Sequence, residues 1–184
     1  MMPRLAVVFA EGFEEIEAIT IVDVLRRAQI DVDMVGLRSL SVKGSHDIEV
    51  KVEKLLKEVD PNLYDGVVLP GGLPGSFKLR DNEDVQNFIR AFNGKLQAAV
   101  CAAPIALQKA GALEGRHVTS HPSMKDEFSK QLYLESPAVI DGKVVTSRGA
   151  GTSFEFVAAI LTVLELEEKT EDLRAAMLYP NFDS

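Results

Sequence analysis

The chain has 184 residues, a formal net charge of −8 at pH 7 and one cysteine. The acidic balance disfavours a nucleic-acid partner, because phosphates attract basic surfaces, and a single cysteine excludes an internal disulfide. No uncharged apolar stretch approaches the ~20 residues that span a bilayer, and the first residues lack a signal-peptide pattern. We therefore expect one cytoplasmic domain over residues 1–184, with no membrane partner.

Apolar strand-like runs alternate with helical patterns along the chain. Strands are predicted at residues 5–9, 31–37, 64–69, 97–101 and 143–146. Helices are predicted at 14–28, 82–92 and 105–110, and a capping box at 152–155 predicts a further helix through the apolar run 156–164. A weaker two-residue alternation over 42–52 predicts a small antiparallel hairpin at the sheet edge. This alternation of strands and helices indicates an α/β fold, with a parallel sheet flanked by helices.

Three loops of this sheet carry the residues that are the best candidates for catalysis or ligand binding. Ligands of open α/β sheets bind at the carboxyl ends of the strands, so the loops after Phe9, Leu69 and Val100 are expected to be neighbours. The last two begin with Pro70-Gly71-Gly72 and with Cys101.

Cys101 lies where a strand is predicted to break into a helix, with Pro104 suited to the first helical turn. Backbone N–H groups and the helix dipole at such an elbow favour the thiolate, which is the nucleophile. The alternative is a buried cysteine that serves only as a small hydrophobic side chain.

Glu17 shares one face of the first predicted helix with Ile21, Val24 and Ala28. Burial on this apolar stripe would raise the pKa of the Glu17 carboxyl, so that it stays protonated and donates a hydrogen bond. Alternatively, the carboxylate caps the helix dipole or reaches solvent. Glu15 falls on the opposite face and needs no special role.

Other polar residues carry weaker signals. Gly71 and Gly72 can aim N–H groups at an anion, although Pro-Gly-Gly is also ordinary turn chemistry. His121 is the best candidate base, whereas surface or structural roles are favoured for His46 and His117. Arg148 can bind an anion, or it can be an interface or surface charge, and no spacing predicts a zinc site or any cofactor.

Together these segments resemble the DJ-1/PfpI (ThiJ) superfamily, and its DJ-1-like branch in particular. The matching stretches follow the family's order: residues 10–17 (AEGFEEIE), 67–72 (VVLPGG), 99–104 (AVCAAP), 119–122 (TSHP) and 146–156 (TSRGAGTSFEF). The resemblance implies a flavodoxin-like fold, a homodimer and a cofactor-independent enzyme that converts 2-oxoaldehydes such as methylglyoxal to 2-hydroxy acids, with glyoxalase or deglycase activity. An oxidative-stress sensor, whose cysteine becomes a sulfinate, is the alternative.

The resemblance also assigns roles to individual residues. Cys101 matches the reactive cysteine, Glu17 the carboxyl that hydrogen-bonds its sulfur, and His121 a nearby catalytic histidine. The backbone around the sulfur pocket matches Gly71, Gly72 and Ala102. Two departures stand out. Ala102 replaces the histidine of the protease-like branch, which disfavours peptidase activity. His46 stands where related proteins commonly have an arginine.

Overall fold

A computed structural model describes residues 2–180. Its central sheet has seven strands in the order β10-β11-β7-β6-β1-β2-β5, and all neighbours are parallel except β10 and β11. The strands of this sheet are β1 (Arg4–Phe9), β2 (Asp31–Gly36), β5 (Lys54–Leu55), β6 (Gly66–Leu69), β7 (Leu96–Val100), β10 (Ala138–Asp141) and β11 (Val144–Ser147). Two further pairs form separate small sheets: β3 (Ser41–Lys43) with β4 (Glu49–Lys51), and β8 (His117–Val118) with β9 (Leu132–Tyr133).

Helices cover both faces of this sheet. They are α1 (Glu15–Arg27), α2 (Gly75–Asp81), α3 (Glu83–Arg90), α4 (Pro104–Lys109), α5 (Ser153–Val163) and α6 (Glu168–Ala176). One apolar cluster lies beneath α1 and α5, and a second lies beneath α2, α3 and α4. Leu5, Val7 and Phe9 of β1 enter the first cluster, whereas Ala6 and Val8 enter the second. This two-sided burial explains why β1 is apolar at every one of these positions.

The predicted α/β class and the order of its main elements are confirmed. The 42–52 hairpin is present as β3 and β4, but it forms its own two-stranded sheet instead of extending an edge of the main one. The prediction of a capping box at 152–155 is wrong, because the Thr152 hydroxyl makes no capping hydrogen bond to the first turn of α5. It instead accepts the backbone N–H groups of Arg148 and Gly149, at 3.2 and 3.1 Å. Within residues 2–180, no helix is long and apolar enough to cross a membrane.

Candidate functional site

Cys101 is the first residue after β7, and its backbone is strained. Its φ is +64°, in the left-handed region that non-glycine residues enter at an energetic cost. Two hydrogen bonds hold it there: its N–H donates to the Ser147 carbonyl (3.0 Å), and its carbonyl accepts the His121 N–H (2.8 Å). The predicted elbow is therefore present, and the end of β11 and the segment after β8 hold it in place.

Glu17 lies beside this elbow, in the first turns of α1. Its side chain is buried, which is the first of the two alternatives left open by the sequence, and it hydrogen-bonds the Cys101 side chain. Its Oε2 also accepts the Gly71 N–H at 2.8 Å. Burial raises the pKa of Glu17 to about 7; the bonds from Cys101 and Gly71 oppose this shift, and the charge of Glu14 adds to it. The carboxyl can therefore carry a proton near neutral pH.

Only glycine fits at position 71, because the Cys101 and Glu17 side chains leave no room there for a Cβ. A Cβ on Gly71 would lie 2.5 Å from both the Cys101 Cβ and the Glu17 Oε2. Gly72 adopts a φ of +95°, which glycine tolerates, and packs against the backbone of Phe13. The sulfur accepts backbone hydrogen bonds from Gly72 and Ala102. The loops after β6 and β7 and the start of α1 thus converge on one sulfur atom.

The electrostatics of Cys101 differ from the prediction. Burial, together with the charge of Glu17 and the hydrogen bond to it, raises the pKa of the Cys101 thiol to about 12, although the N–H groups of Gly72 and Ala102 act in the opposite direction. The expected helix dipole is weak because α4 begins only at Pro104 and has six residues. The thiol and the carboxyl compete for one negative charge, so their titrations belong to the pair.

His121 is joined to the elbow through its backbone, while its exposed imidazole turns toward Ser123. Its Nδ1 lies 2.8 Å from the Ser123 Oγ and accepts the Ser123 N–H at 3.3 Å. An N–H can only donate, so the proton of the neutral ring is assigned to Nε2. In this tautomer the ring can donate a hydrogen bond from Nε2, and the role of His121 as a base stays a prediction. A Cβ on Gly149 would lie 3.7 Å from the imidazole Cδ2.

Glu15 has a role that the helical pattern missed. It is buried, and its Oε1 accepts the N–H groups of His46 (2.7 Å) and Ile48 (3.4 Å), which ties the β3–β4 turn to α1. Burial opposes ionisation, but these bonds and the His46 side chain hold the pKa of Glu15 at about 2. Helical periodicity describes one helix face and cannot show that a distant hairpin covers another.

The two remaining candidates, His117 and Arg148, interact with carboxylates of other parts of the chain. His117 is exposed and pairs with Asp141 through Nδ1 at 3.1 Å, which agrees with the favoured surface role. Arg148 is half-buried, and with Lys125 it lowers the pKa of the exposed Glu135 carboxyl.

The family model described as "DJ-1/PfpI family" matches residues 3–163, most of the chain. The chain belongs to the DJ-1/PfpI family. The resemblance seen in the sequence is thereby confirmed, as is the flavodoxin-like fold that it implied.

Individual DJ-1 relatives agree with this assignment. Protein dj-1beta of Drosophila melanogaster is 40% identical over 177 residues, which cover 94% of this chain and 95% of that protein. Its crystal structure superposes with a TM-score of 0.93 at 38% identity, covering 98% of this chain and all of the other. Protein DJ-1 homolog B of Arabidopsis thaliana is 37% identical over 96% of this chain, which spans only 41% of the plant protein. A Caenorhabditis elegans relative, 35% identical over 89% of each chain, is named "Glutathione-independent glyoxalase DJR-1.2".

Proposed function

We propose that this protein is a cofactor-independent thiol enzyme that converts 2-oxoaldehydes, such as methylglyoxal, to 2-hydroxy acids. The observation that carries the proposal is the convergence of a strained cysteine, a protonatable carboxyl and two backbone N–H groups on one sulfur atom. The glyoxalase name of the nematode relative supports the same reaction class. The proposal covers the chain as one domain.

The first step is the attack of the Cys101 thiolate on the aldehyde carbon. A C–S bond forms while the C=O double bond opens, which gives a hemithioacetal oxyanion. The N–H groups of Gly72 and Ala102 face the sulfur and would stabilise the charge that develops beside it. Glu17 takes the thiol proton on formation of the thiolate and delivers it to this oxygen, because its raised pKa suits both transfers near pH 7.

The second stage moves a hydrogen within the bound substrate. A proton moves from the former aldehyde carbon to the neighbouring carbonyl carbon, and the hydroxyl proton of the hemithioacetal moves to the ketone oxygen, so that the isomeric 2-hydroxy thioester forms on Cys101. Glu17 is the group placed to carry this proton, and the Nε2–H of His121 would polarise the ketone oxygen. Water then cleaves the thioester to the 2-hydroxy acid and the free thiol, and the net reaction adds one water.

Lactate formation from methylglyoxal tests this proposal. Wild type, Cys101→Ser and Glu17→Ala are compared at pH 7, with His117→Ala as the control because its imidazole pairs with Asp141 away from the sulfur. We expect turnover in wild type and His117→Ala, and a loss of at least 100-fold in the other two, in line with removal of a nucleophile or its proton-transfer partner. Turnover that survives Cys101→Ser would refute the mechanism.

A redox sensor is the second candidate, and one observation favours it. Cys101 is the only cysteine of the chain, so a sulfenic acid formed there has no internal thiol to resolve it and can proceed to sulfinate. A protonated Glu17 would then donate to a sulfinate oxygen. Intact mass after mild peroxide separates the candidates. A gain of two oxygens on Cys101, together with no Cys101-dependent turnover, would favour the sensor.

We also propose a homodimer formed through the outer face of α1. Ile16 and Ile19 stand one turn apart on this helix and are 60% and 43% exposed. Ile48 is 56% exposed, and its backbone is bound to Glu15 at the start of the same helix. Three exposed isoleucines in one patch are typical of an interface. A second copy is the occupant that the family resemblance implies.

A further inference from the structure

We propose that Glu14, Glu15 and His46 form a binding site for a divalent transition cation such as Zn²⁺, with Ser45 at its fourth corner. Among residues 2–180 this is the one group of three His, Cys, Asp or Glu residues whose ligand atoms all lie within 4.8 Å of one another. The site does not include the Cys101 sulfur and does not rest on the proposed enzyme activity, although the charge of Glu14 also acts on the Glu17 carboxyl.

The distances between the donor atoms fit a tetrahedral ion. The Ser45 Oγ lies 3.3 Å from the Oε2 atoms of both Glu14 and Glu15, and 3.1 Å from the His46 Nδ1. That Nδ1 lies 3.1 Å from the Glu15 Oε2 and 3.5 Å from the Glu14 Oε2. Zinc–ligand bonds of ~2.0–2.2 Å in a tetrahedron place neighbouring ligands about 3.3–3.6 Å apart. Of the six distances between pairs of these four donor atoms, five are therefore already close to the spacing of a tetrahedral zinc site.

Surrounding contacts hold the ligands in position. The Glu15 Oε1 is occupied by the backbone N–H groups of His46 and Ile48, which leaves Oε2 directed at the cluster. The Ser45 N–H donates to the Phe13 carbonyl at 2.8 Å and fixes the hairpin turn against α1. Such supporting bonds orient metal ligands and reduce the reorganisation needed on binding.

The donor set also selects the class of ion. One imidazole nitrogen with two carboxylate oxygens suits Zn²⁺ and neighbouring transition cations, whereas Mg²⁺ and Ca²⁺ prefer all-oxygen sites. Two carboxylates neutralise the charge of a divalent ion. The imidazole must offer the lone pair of Nδ1 and keep its remaining proton on Nε2. The Nδ1···Glu15 contact of the present structure is then replaced by bonds to the metal.

This site leaves no mark in the sequence pattern, because its ligands are separated by about thirty residues. It depends on the hairpin folding onto the start of α1. By contrast, the imidazole of His117 faces the single carboxylate of Asp141, which already binds Arg116, so His117 provides a matched control.

Calorimetric titration with Zn²⁺ tests the proposal in the Cys101→Ser background, where the thiol cannot bind the metal. We expect one ion per chain, affinity at least tenfold weaker in Cys101→Ser/His46→Ala and Cys101→Ser/Glu14→Gln, and unchanged affinity in Cys101→Ser/His117→Ala. His46 is exposed, so its removal should leave the fold intact, and circular dichroism checks this.

A second measurement locates the ion. Anomalous diffraction from Zn²⁺-soaked crystals of Cys101→Ser should place it between Glu14, Glu15 and His46, and bound Co²⁺ should give the visible spectrum of a tetrahedral site. Absence of binding in Cys101→Ser, equal affinity after His46→Ala, or an ion found elsewhere would each overturn the assignment.

Discussion

The buried carboxyl of Glu17 predicts a specific dependence of stability on pH. Its pKa rises from 4.5 to about 7 on folding, mainly because burial disfavours the charged form. The folded protein therefore binds more protons than the unfolded chain between these two values. The contribution of Glu17 to stability is fully present below about pH 4.5 and is lost as the pH rises through 7.

The size of the loss follows from the same shift. Each unit of pKa difference corresponds to about 1.4 kcal/mol, so ionising Glu17 in the folded state lowers the free energy of unfolding by about 3 kcal/mol. No discount for solvent is needed, because Glu17 is only 1% exposed. In a chain of this length, this change corresponds to a decrease of roughly 6–12 °C in the melting temperature.

Glu17→Gln isolates the effect, since the amide keeps the shape and the acceptor for the Gly71 N–H but cannot ionise. Urea unfolding is measured between pH 4.5 and 8 for Cys101→Ser and for Cys101→Ser/Glu17→Gln, which removes titration of the thiol. We expect the double variant to gain about 3 kcal/mol relative to its parent across this range. The other carboxyls and the histidines are common to both proteins, so their contributions to the pH dependence cancel when the two unfolding free energies are subtracted.

Parallel pH profiles for the two proteins would refute the reasoning, because they would show that Glu17 ionises as easily when folded as when unfolded. The same urea measurement on wild type and Glu17→Gln, in which Cys101 is intact, measures the coupling between the Cys101 thiol and the Glu17 carboxyl. If Cys101 and Glu17 compete for one negative charge, the effect of Glu17→Gln must differ between the two backgrounds.

Three further predictions concern other parts of the molecule. Gly71→Ala places a Cβ 2.5 Å from the Cys101 Cβ. It should therefore abolish methylglyoxal turnover and lower the free energy of unfolding in urea by about 1–3 kcal/mol. Gly151→Ala is the matched control, because a Cβ at Gly151 would meet open space, and it should change neither quantity. Tyr64→Phe removes a buried 2.6 Å bond to Asp33 and should cost about 1.5–3 kcal/mol, whereas an unchanged unfolding midpoint would contradict the importance of that bond. Ile16→Glu should halve the mass seen by light scattering, and a retained dimer would place the interface elsewhere.

The sequence predicted those parts of the fold that depend on local patterns. The continuous apolar run at 5–9 predicted a strand buried on both faces, and the stripe through Glu17 and Ile21 predicted which face of α1 is buried. The same pattern failed for Glu15, because what buries this residue is a hairpin that begins 26 residues later in the chain. Periodicity reports the faces of one element, whereas burial depends on every element packed against it.

The pKa of Cys101 shows the same limit for chemistry. An elbow ahead of a helix favours a thiolate in isolation, but here burial and the charge of Glu17 outweigh the two N–H groups that face the sulfur. Activation of the sulfur must therefore come from its partner. When Glu17 holds a proton, the repulsive charge is absent and the carboxyl can donate to the sulfur. The raised pKa of Glu17 near neutrality, and not a lowered pKa of the thiol alone, is thus the feature that makes this cysteine suited to proton-coupled chemistry.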